Sequence, residues 1–573
     1  MKVTAAALAA FAAALFVVPI YAQVQAQVQV KGQERPIPRI VQKDGRYALF
    51  VDDAPFLILS VEDQDLGLES TWPPQPKDWD NMEYLHANTV EVPIYWDQIE
   101  EQPGNFDFSS IDRLLAAARE HNMRLILLWF ATWKNGSQHY MPDWMLSDPA
   151  RYFHAVNREG EAVDSPSPFA TASLEADKKA FAAVMQHLKE TDPQRTVIMV
   201  QVENETGNWK SVRDFSPAAE KYFEAPVPPE ILKAMPAQTT SASPNWQGAF
   251  GPDADEYFNA WATAKYVGEV AAAGKAVYPL PMDVNDALRN PFHPGLPGEP
   301  GVPGNYESGG PTDNVIPIWK ASAPAIDLLG PDDYQGDPAA YLKVLDLYRR
   351  DDNPLFLPES GCPGCDPDSG DFTRYFFSVL GLQGIGYSES GNQPVPSLAR
   401  NFELVGPMQR EIARLNFEGK LKAVAEPVHT KGGDQGDPRQ TMRFGSWNAV
   451  VKYGSARFGA ATTAWNEKPE GRALVAQLGE NQFLVAGNFC TVDFYPAGTE
   501  EQQKTEHIVD GTGQIPSALI DGKWQHRQFM LVEQGVYEDG TFKLLRSQNG
   551  DATDYGLRFG EEPTVLRVTL GIY

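Results

Sequence analysis

Cysteine is scarce in this sequence of 573 residues, which contains only three: Cys362, Cys365 and Cys490. Three thiols are too few for the disulfide framework that supports many small secreted domains. A second cysteine pair or a histidine cluster would favour zinc, and neither accompanies Cys362 and Cys365. This pair therefore has three interpretations: a redox motif, half of a zinc site, or a local disulfide. The disulfide is favoured if the chain is exported.

Long apolar runs are also nearly absent. Beyond the N-terminus no stretch has 18 uninterrupted apolar residues, so the sequence predicts neither a membrane span nor a membrane anchor. The N-terminus itself has a basic residue followed by small and apolar residues up to Val18, a pattern typical of a signal peptide. We therefore expect a signal peptide over residues 1–22, a polar leader over 23–45, and an exported protein that is periplasmic or secreted.

Positive charge is in deficit, with 48 Lys and Arg against 76 Asp and Glu and a net charge of −28 at pH 7. Such a charge disfavours nucleic acid and anionic membrane surfaces as partners. The 13 Trp and 21 Tyr suit a protein that packs flat rings against sugars, although a well-filled core would also use them. The length allows a large core and more than one domain. The sequence gives no indication of oligomeric state.

Two short apolar segments each end in a glutamate. Residues 197–200 are apolar, and three of the four are β-branched, as in a buried strand; Glu205 follows shortly after. Residues 354–358 form a second such segment, which Glu359 ends. Where strands and helices alternate, the carboxyl ends of the strands form the active-site face. Two glutamates placed there suit chemistry that needs one acid and one nucleophile or base.

A strand places alternate residues on the same face, so Gln201, Glu203 and Glu205 are predicted to share one face. On this assignment Glu203 lies one position deeper in the sheet than Glu205. We expect Glu203 to be a buried partner rather than a catalytic group.

The segment Gln-Val-Glu-Asn-Glu over residues 201–205, with the later strand-end Glu359, resembles the retaining glycosidases of clan A and, more narrowly, glycoside hydrolase family 35, the β-galactosidases. Residues 95–108 also resemble this family, with a Trp followed by Glu, Pro, Gly and Phe-Asp-Phe. The resemblance implies a retaining, exo-acting β-galactosidase that hydrolyses terminal non-reducing β-galactosyl residues of oligo- or polysaccharides. It implies no cofactor and no metal.

Two other functions stay open. One is a clan A β-glycosidase of other specificity, such as a β-glucosidase, β-mannanase or arabinosidase. The other is a non-catalytic glycan-binding protein, against which the presence of both Glu205 and Glu359 argues. The aspartates at 366, 368 and 371 weakly suggest calcium, but the ligand spacing of a twelve-residue calcium loop is missing.

The resemblance assigns roles to individual residues. It makes Glu205 the general acid/base, Glu359 the nucleophile, and Asn204 the residue that holds the sugar 2-hydroxyl. Tyr334 follows the strand predicted at residues 326–329, and it matches a tyrosine that orients the nucleophile in the family.

Three further substrate contacts are expected at the active-site face: Trp133, Asn135 and Tyr387. Better-known members of the family carry a glutamate in the loop after the third strand. This chain has Trp133, Lys134 and Asn135 there instead, so its set of sugar contacts differs from the usual one.

The predicted fold class is α/β: a (β/α)8 TIM barrel over residues 46–420, followed by a C-terminal β-sandwich over 421–573. Strand–helix alternation predicts the barrel, with strands at 55–61, 89–94, 124–130, 196–205, 276–285, 326–329, 354–359 and 384–388. The sandwich is predicted from strands with few helices between them, at 483–487, 528–532 and 566–570. This domain either binds glycan or buttresses the barrel.

Overall fold

The structure is a computed structural model, and it describes residues 35–64, 66, 76–237, 244–292, 306–361, 371–391, 393–429, 439–454, 465–497, 517–520, 523–538, 540–548, 552–553 and 556–572. The predicted signal peptide, the Cys362–Cys365 pair, and Asp366 and Asp368 lie outside the described residues. Asp371 is described, and it pairs with Arg472 at 2.8 Å. Among the described residues, no helix is long and apolar enough to cross a membrane.

Eight parallel strands form a barrel, and we label them β1 to β8 in chain order. They are Ile58–Glu62, Thr89–Tyr95, Arg124–Lys134, Val197–Asn204, Met282–Ala287, Leu328–Asp333, the divided strand Phe356–Leu357 with Glu359–Ser360, and Gly386–Ser390.

The seventh strand closes the barrel because its two halves pair with different neighbouring strands. The first half of β7 pairs with β8, and the second half pairs with β6. Pro358 separates the halves, and proline has no N–H to donate to a sheet ladder. The sheet order runs from the first half of β7 through β8 and β1 round to β6 and the second half of β7. The predicted (β/α)8 barrel is therefore confirmed.

The barrel strands are apolar on both faces because both faces are covered, as parallel sheets require. Side chains inside the barrel pack together, among them Ile58, Ile126, Leu128, Leu328 and Phe356. The outward side chains pack against helices. The main helices are Pro76–Tyr84, Ser109–Glu120, Thr171–Thr191, Ala254–Val277, Ile316–Ser322, Pro338–Tyr348, Phe376–Gly381, Pro396–Val405 and Gln409–Phe417.

Short helices lie in the connections. They are Trp96–Ile99, Asp143–Leu146, Pro217–Phe223, Pro229–Ala234 and Trp246–Phe250, with 3-10 turns at Gly251–Asp253, Phe372–Tyr375 and Gly406–Met408. A two-stranded ribbon, His154–Val156 with Ala162–Pro166, follows β3.

A small antiparallel sheet closes the end of the barrel opposite the mouth. Its strands are Arg39–Lys43, Arg46–Val51 and Ala54–Phe56. Leu49, Val51 and Phe56 pack into the apolar interior of the barrel. The sequence predicted one barrel strand over residues 55–61. Instead the last strand of this sheet ends at Phe56, and β1 begins as a separate strand at Ile58.

The C-terminal region contains two antiparallel sheets, which confirms the predicted sandwich. The first sheet contains Leu421–Ala425, Arg472–Gly479, Gln482–Asn488, Thr564–Ile572, Lys523–Glu538, Ser517–Ile520 and Thr541–Ser547. The second contains Arg439–Phe444, Trp447–Tyr453, Cys490–Pro496 and Leu557–Phe559. Cys490 is a free, buried thiol between them.

Alternation along one strand of the first sheet shows how the sandwich meets the barrel. Ala473 and Val475 pack into the sandwich core, whereas Leu474 and Ala476 pack into the core shared with the barrel helices. At this strand the first sheet is therefore covered on both faces, and the sandwich contacts the barrel helices there through apolar side chains.

Candidate active site

Glu205 and Glu359 meet at the mouth of the barrel, at the carboxyl ends of β4 and β7. An oxygen of each lies within 4.8 Å of the other, and both lie within the same distance of an oxygen of Asp332, at the end of β6. All three side chains are buried. The structure thus brings together the two glutamates that the sequence pairs, and it adds a third carboxyl group.

Asn285, near the end of β5, connects these groups through one amide. Its Nδ2 donates to Glu359 Oε1 at 3.0 Å, to Asp332 Oδ2 at 2.8 Å and to Asn204 Oδ1 at 3.1 Å. Its Oδ1 accepts from the backbone N–H of Glu205 at 2.9 Å. Asn285 is fully buried, so it fixes the two glutamates relative to each other from below.

Glu359 is held at both of its oxygens. The Tyr334 hydroxyl donates to Oε2 at 2.7 Å, and Asn285 donates to Oε1. Burial and the neighbouring Glu359 charge raise the pKa of Tyr334 above its usual range, so the phenol stays protonated and remains a donor. Two donors on a carboxylate fix its direction. Tyr334 lies where the sequence placed it, directly after β6, with 36 % of its surface exposed.

Glu205 is held in a different environment. Burial, and then the nearby charge of Glu359, raise the pKa of Glu205 to about 8, while Lys134 opposes the rise. Burial and the Glu359 charge also raise the pKa of Asp332 well above its usual range. At neutral pH Glu205 is therefore a proton donor beside a carboxylate that carries two hydrogen bonds.

Three further ionisable residues, Glu62, Glu307 and Lys134, surround this centre. Burial, and then Glu359, raise the pKa of Glu62 to about 8, and burial raises the pKa of Glu307 to about 7. The positive charge of Lys134 lowers the pKa of both. Sequence reasoning did not select these three residues or Asn285. Glu62 and Asn285 could have been found, because both lie at or near the ends of barrel strands.

The backbone around the acid is unusual. Glu203 and Glu205 have φ values of 66° and 44°, in the left-handed region that non-glycine residues rarely adopt. Each such residue costs about 1–3 kcal/mol and persists only where its surroundings enforce it. Such outliers cluster at functional sites, and these two flank Asn204.

The predicted face for Glu203 is wrong, because these left-handed residues interrupt the alternation of the strand. Glu203 Oε2 accepts from the backbone N–H of Trp133 at 2.7 Å. Its side chain also neighbours Asp177, which accepts from Trp129 Nε1 at 3.0 Å. Trp129 and Trp133 belong to the core between barrel and helices. Glu203 therefore points outward into the helix layer, away from Glu205.

Two of the expected sugar contacts are not open to the mouth. Trp133 is fully buried and donates through Nε1 to the carbonyl of Gly207 at 3.1 Å. Tyr387 is also fully buried, and its hydroxyl donates to Glu389 Oε2 at 2.7 Å. These placements correct the expectation that both side chains touch sugar. They instead support the walls of the site.

The register of β3 explains the position of Trp133. Trp129 lies opposite Val202 and Lys134 lies opposite Asn204, so five positions along β3 match two along β4. Such an irregularity changes which face each side chain meets, and sequence alternation does not reveal it.

Asn204 and Asn135 do lie beside each other at the mouth. Asn204 is buried, and its Nδ2 makes only a long contact of 3.5 Å with Asn135 Oδ1. Asn135 is exposed, in a turn with φ 53°. Asn204 Nδ2 therefore has the weakest hydrogen bond of the cluster and is the donor best placed to exchange it for a sugar hydroxyl.

The three carboxyl groups of Glu205, Asp332 and Glu359 are close enough to hold a cation between them. Asn285 Nδ2 already donates to two of them, however, and the Tyr334 hydroxyl donates to Glu359. Two hydrogen-bond donors directed at these oxygens suit bound protons and neutral sugar better than a metal ion. The expectation of a metal-free site stays a prediction.

Two family models match the chain. One, described as beta-galactosidase and belonging to glycoside hydrolase family 42, matches residues 69–274, which include Glu205. The other, a domain of unknown function (DUF5597), matches residues 398–560, the end of the barrel and most of the sandwich. No curated protein sequence matches the chain.

Solved structures with a similar fold are distant. A beta-galactosidase from Bacillus circulans sp. alkalophilus is 15 % identical with a TM-score of 0.41, over 58 % of this chain and 50 % of that one. The catalytic domain of beta-amylase from Paenibacillus polymyxa is 14 % identical with a TM-score of 0.42, over 58 % and 91 %. A beta-galactosidase from the psychrophilic Marinomonas ef1 is 13 % identical with a TM-score of 0.44, over 65 % and 62 %. The chain spans half the length of the first of these.

The barrel and the family 42 match support a glycoside hydrolase of clan A. The match is to family 42, so it supports the resemblance noted in the sequence at the level of the clan and does not show family 35.

Proposed function

We propose that the protein is a retaining, exo-acting β-galactosidase that releases terminal non-reducing β-galactosyl residues from oligo- or polysaccharides. The observation that carries this proposal is the asymmetry of the two strand-end glutamates. Glu359 is oriented by Tyr334 and Asn285, whereas burial beside Glu359 holds Glu205 protonated. The galactosyl specificity is supported by the beta-galactosidase family match.

The spacing of the carboxyl groups favours a double displacement. Retaining glycosidases separate their two carboxyl groups by about 5–5.5 Å, and inverting enzymes by roughly 6.5–9.5 Å, to leave room for a water. An oxygen of Glu205 and an oxygen of Glu359 lie within 4.8 Å of each other. A closest approach of that size is compatible with the retaining spacing, and so with direct attack by a carboxylate.

In the first step Glu359 attacks the anomeric carbon, and the bond to the glycosidic oxygen breaks. Glu205 donates its proton to that oxygen, so the aglycone leaves as an alcohol. In the second step the ionised Glu205 takes a proton from water, which attacks the same carbon and frees Glu359. Each step inverts the anomeric carbon, so the sugar leaves as the β-anomer and both glutamates return to their starting states.

The buried position of both glutamates supports an exo-acting enzyme. Glu205 and Glu359 are each less than a tenth exposed. Carboxyl groups with so little exposed surface suit the end of a sugar chain better than its middle. Asn204 would hold the 2-hydroxyl of the terminal sugar.

A panel of aryl β-glycosides and plant-wall oligosaccharides tests the specificity. We expect the highest kcat/KM on β-galactosides, with galactose released singly from chain ends. A preference for glucosides, mannosides or arabinosides would replace the galactosyl specificity but leave the assignment to clan A unchanged. Turnover of no glycoside, with binding retained, would favour a glycan-binding protein.

The same panel tests the roles of the glutamates. Glu359→Ala should abolish turnover on every substrate. Glu205→Ala should spare substrates with good leaving groups in the first step, because these leave without a proton. Azide should then rescue the variant and yield a β-glycosyl azide. An α-glycosyl azide would contradict the assignment of Glu205.

We also propose that the protein is exported, on the strength of the signal-peptide pattern in residues 1–22. N-terminal sequencing of protein recovered from the periplasm or the medium should begin near Gln23. Recovery from the cytoplasm with residues 1–22 intact would contradict this proposal.

A further inference from the structure

Trp209 is a partly exposed tryptophan four residues after Glu205, with 38 % of its surface accessible. Single exposed aromatic residues are common on protein surfaces, so exposure alone says nothing about function. What distinguishes Trp209 is how firmly its ring is held and what holds it.

Hydrogen bonds fix both the backbone and the ring of Trp209. Its indole Nε1 donates to the carbonyl of Asn135 at 2.8 Å, and its backbone N–H donates to Ser165 Oγ at 3.1 Å. The Ser165 hydroxyl in turn donates to the carbonyl of Gly136. The ring is therefore set before any ligand arrives, which lowers the entropy lost on binding.

Gly136 allows the ring to lie close against the turn. A Cβ added at Gly136 would come 2.6 Å from Trp209 Cδ1 and 2.9 Å from Glu307 Cγ. Gly136 also has φ 67°, which favours glycine. No other residue type fits there without moving the indole.

The same turn holds the catalytic acid. The N–H of Asn135 donates to the carbonyl of Asn204 at 3.2 Å, and the N–H of Gly136 donates to the carbonyl of Glu205 at 2.8 Å. Of these two adjacent residues, Gly136 thus bonds to Glu205 through its N–H, and Asn135 bonds to Trp209 through its carbonyl. Glu307 lies near both, because its charge acts on Glu205 and because its Cγ and the indole of Trp209 both lie close to Gly136.

This attachment places Trp209 on the side of the site from which the leaving group departs. Glu205 must reach the glycosidic oxygen, so the aglycone lies next to Glu205. The residues that orient Glu359 come instead from β5 and from the end of β6. We propose that Trp209 is the stacking platform for the first sugar ring of the leaving group, which makes pyranosyl-linked β-galactosides the preferred substrate class.

The proposal rests on the proposed function and is tested with two substrates that share a glycone. β-Galactosyl fluoride has no sugar leaving group, whereas β-1,4-galactobiose has a pyranose there. For Trp209→Ala we expect the ratio of kcat/KM for galactobiose to that for the fluoride to fall about tenfold, the scale of one aromatic contact. Trp209→Phe keeps a ring and should restore most of the ratio.

Tyr84→Ala is the matched control. Tyr84 is a 46 % exposed aromatic at the end of Pro76–Tyr84, a helix that leads back to the start of β2 and hence to the far end of the barrel. This variant should leave the ratio unchanged.

An unchanged ratio in Trp209→Ala, or equal losses on both substrates, would overturn the platform. If the wild type hydrolyses another β-glycoside instead, the galactosyl assignment fails by itself. The fluoride and disaccharide of that other sugar then test Trp209 in the same way. A wild type that cleaves no glycoside at all would contradict both proposals.

Discussion

The protonation of Glu205 should set the alkaline limit of activity. Burial and the Glu359 charge raise its pKa from the ordinary 4.5 to about 8. A rise of that size corresponds to about 5 kcal/mol in favour of the protonated carboxyl. Because the first step needs that proton, kcat/KM on an unactivated disaccharide should fall about tenfold for each pH unit above about 8.

The perturbation that isolates Glu205 is Glu205→Gln, assayed with a substrate whose leaving group needs no proton. The variant keeps the shape of the side chain and loses its titration. Its kcat/KM on a dinitrophenyl galactoside should therefore stay flat through pH 8–10, where the wild type declines on the disaccharide.

Glu62→Gln is the matched control, because burial raises the pKa of Glu62 to about 8 as well. If Glu205 is the acid, the alkaline decline on the disaccharide persists in Glu62→Gln. Loss of the decline on the disaccharide in Glu62→Gln would refute the assignment of Glu205 as the acid. So would a decline above pH 8 for Glu205→Gln on the dinitrophenyl galactoside.

Three further outcomes follow from the site. Tyr334→Phe removes one hydrogen bond from Glu359 and should lower kcat/KM roughly ten- to hundredfold, with an unchanged alkaline limit. Dialysis against a chelator should leave activity intact, and recovery of lost activity by a divalent ion would contradict the metal-free site. Burial raises the pKa of Glu62 and Glu205 to about 8 and of Asp283 to about 7, so the folded state holds more protons than the unfolded state between about pH 4.5 and 8. Stability therefore falls as pH rises through that window, and scanning fluorimetry should show a lower Tm at pH 8.5 than at pH 5, whereas an equal or higher Tm would contradict it.

The barrel could be predicted because local pattern and global fold agree in it. Apolar strands alternate with helices, and each predicted barrel strand overlaps an observed one. Glu205 and Glu359 could be paired because the carboxyl ends of parallel strands converge on one face. Applying that rule to every strand would also have found Glu62 and Asn285.

Side-chain direction at the strand ends could not be predicted. The assignment of Glu203 assumed regular alternation, which the left-handed backbone at Glu203 and Glu205 interrupts. Trp133 packs into the core between barrel and helices because β3 carries extra residues opposite β4. Glu307 lies in a connection far along the chain, and no local pattern marks it. Each of these features depends on tertiary contacts that a single segment does not contain.

The most direct test of the central claim is to identify the residue that becomes glycosylated. Incubation with a 2-deoxy-2-fluoro-β-galactoside carrying a good leaving group slows both steps, the second more than the first, so the covalent intermediate accumulates. Peptide mass spectrometry should then find one fluorosugar on Glu359 and none on Glu205 or Glu62. A label on either of those residues would contradict the assigned roles, as would active enzyme that takes up no label and releases α-galactose as its first product.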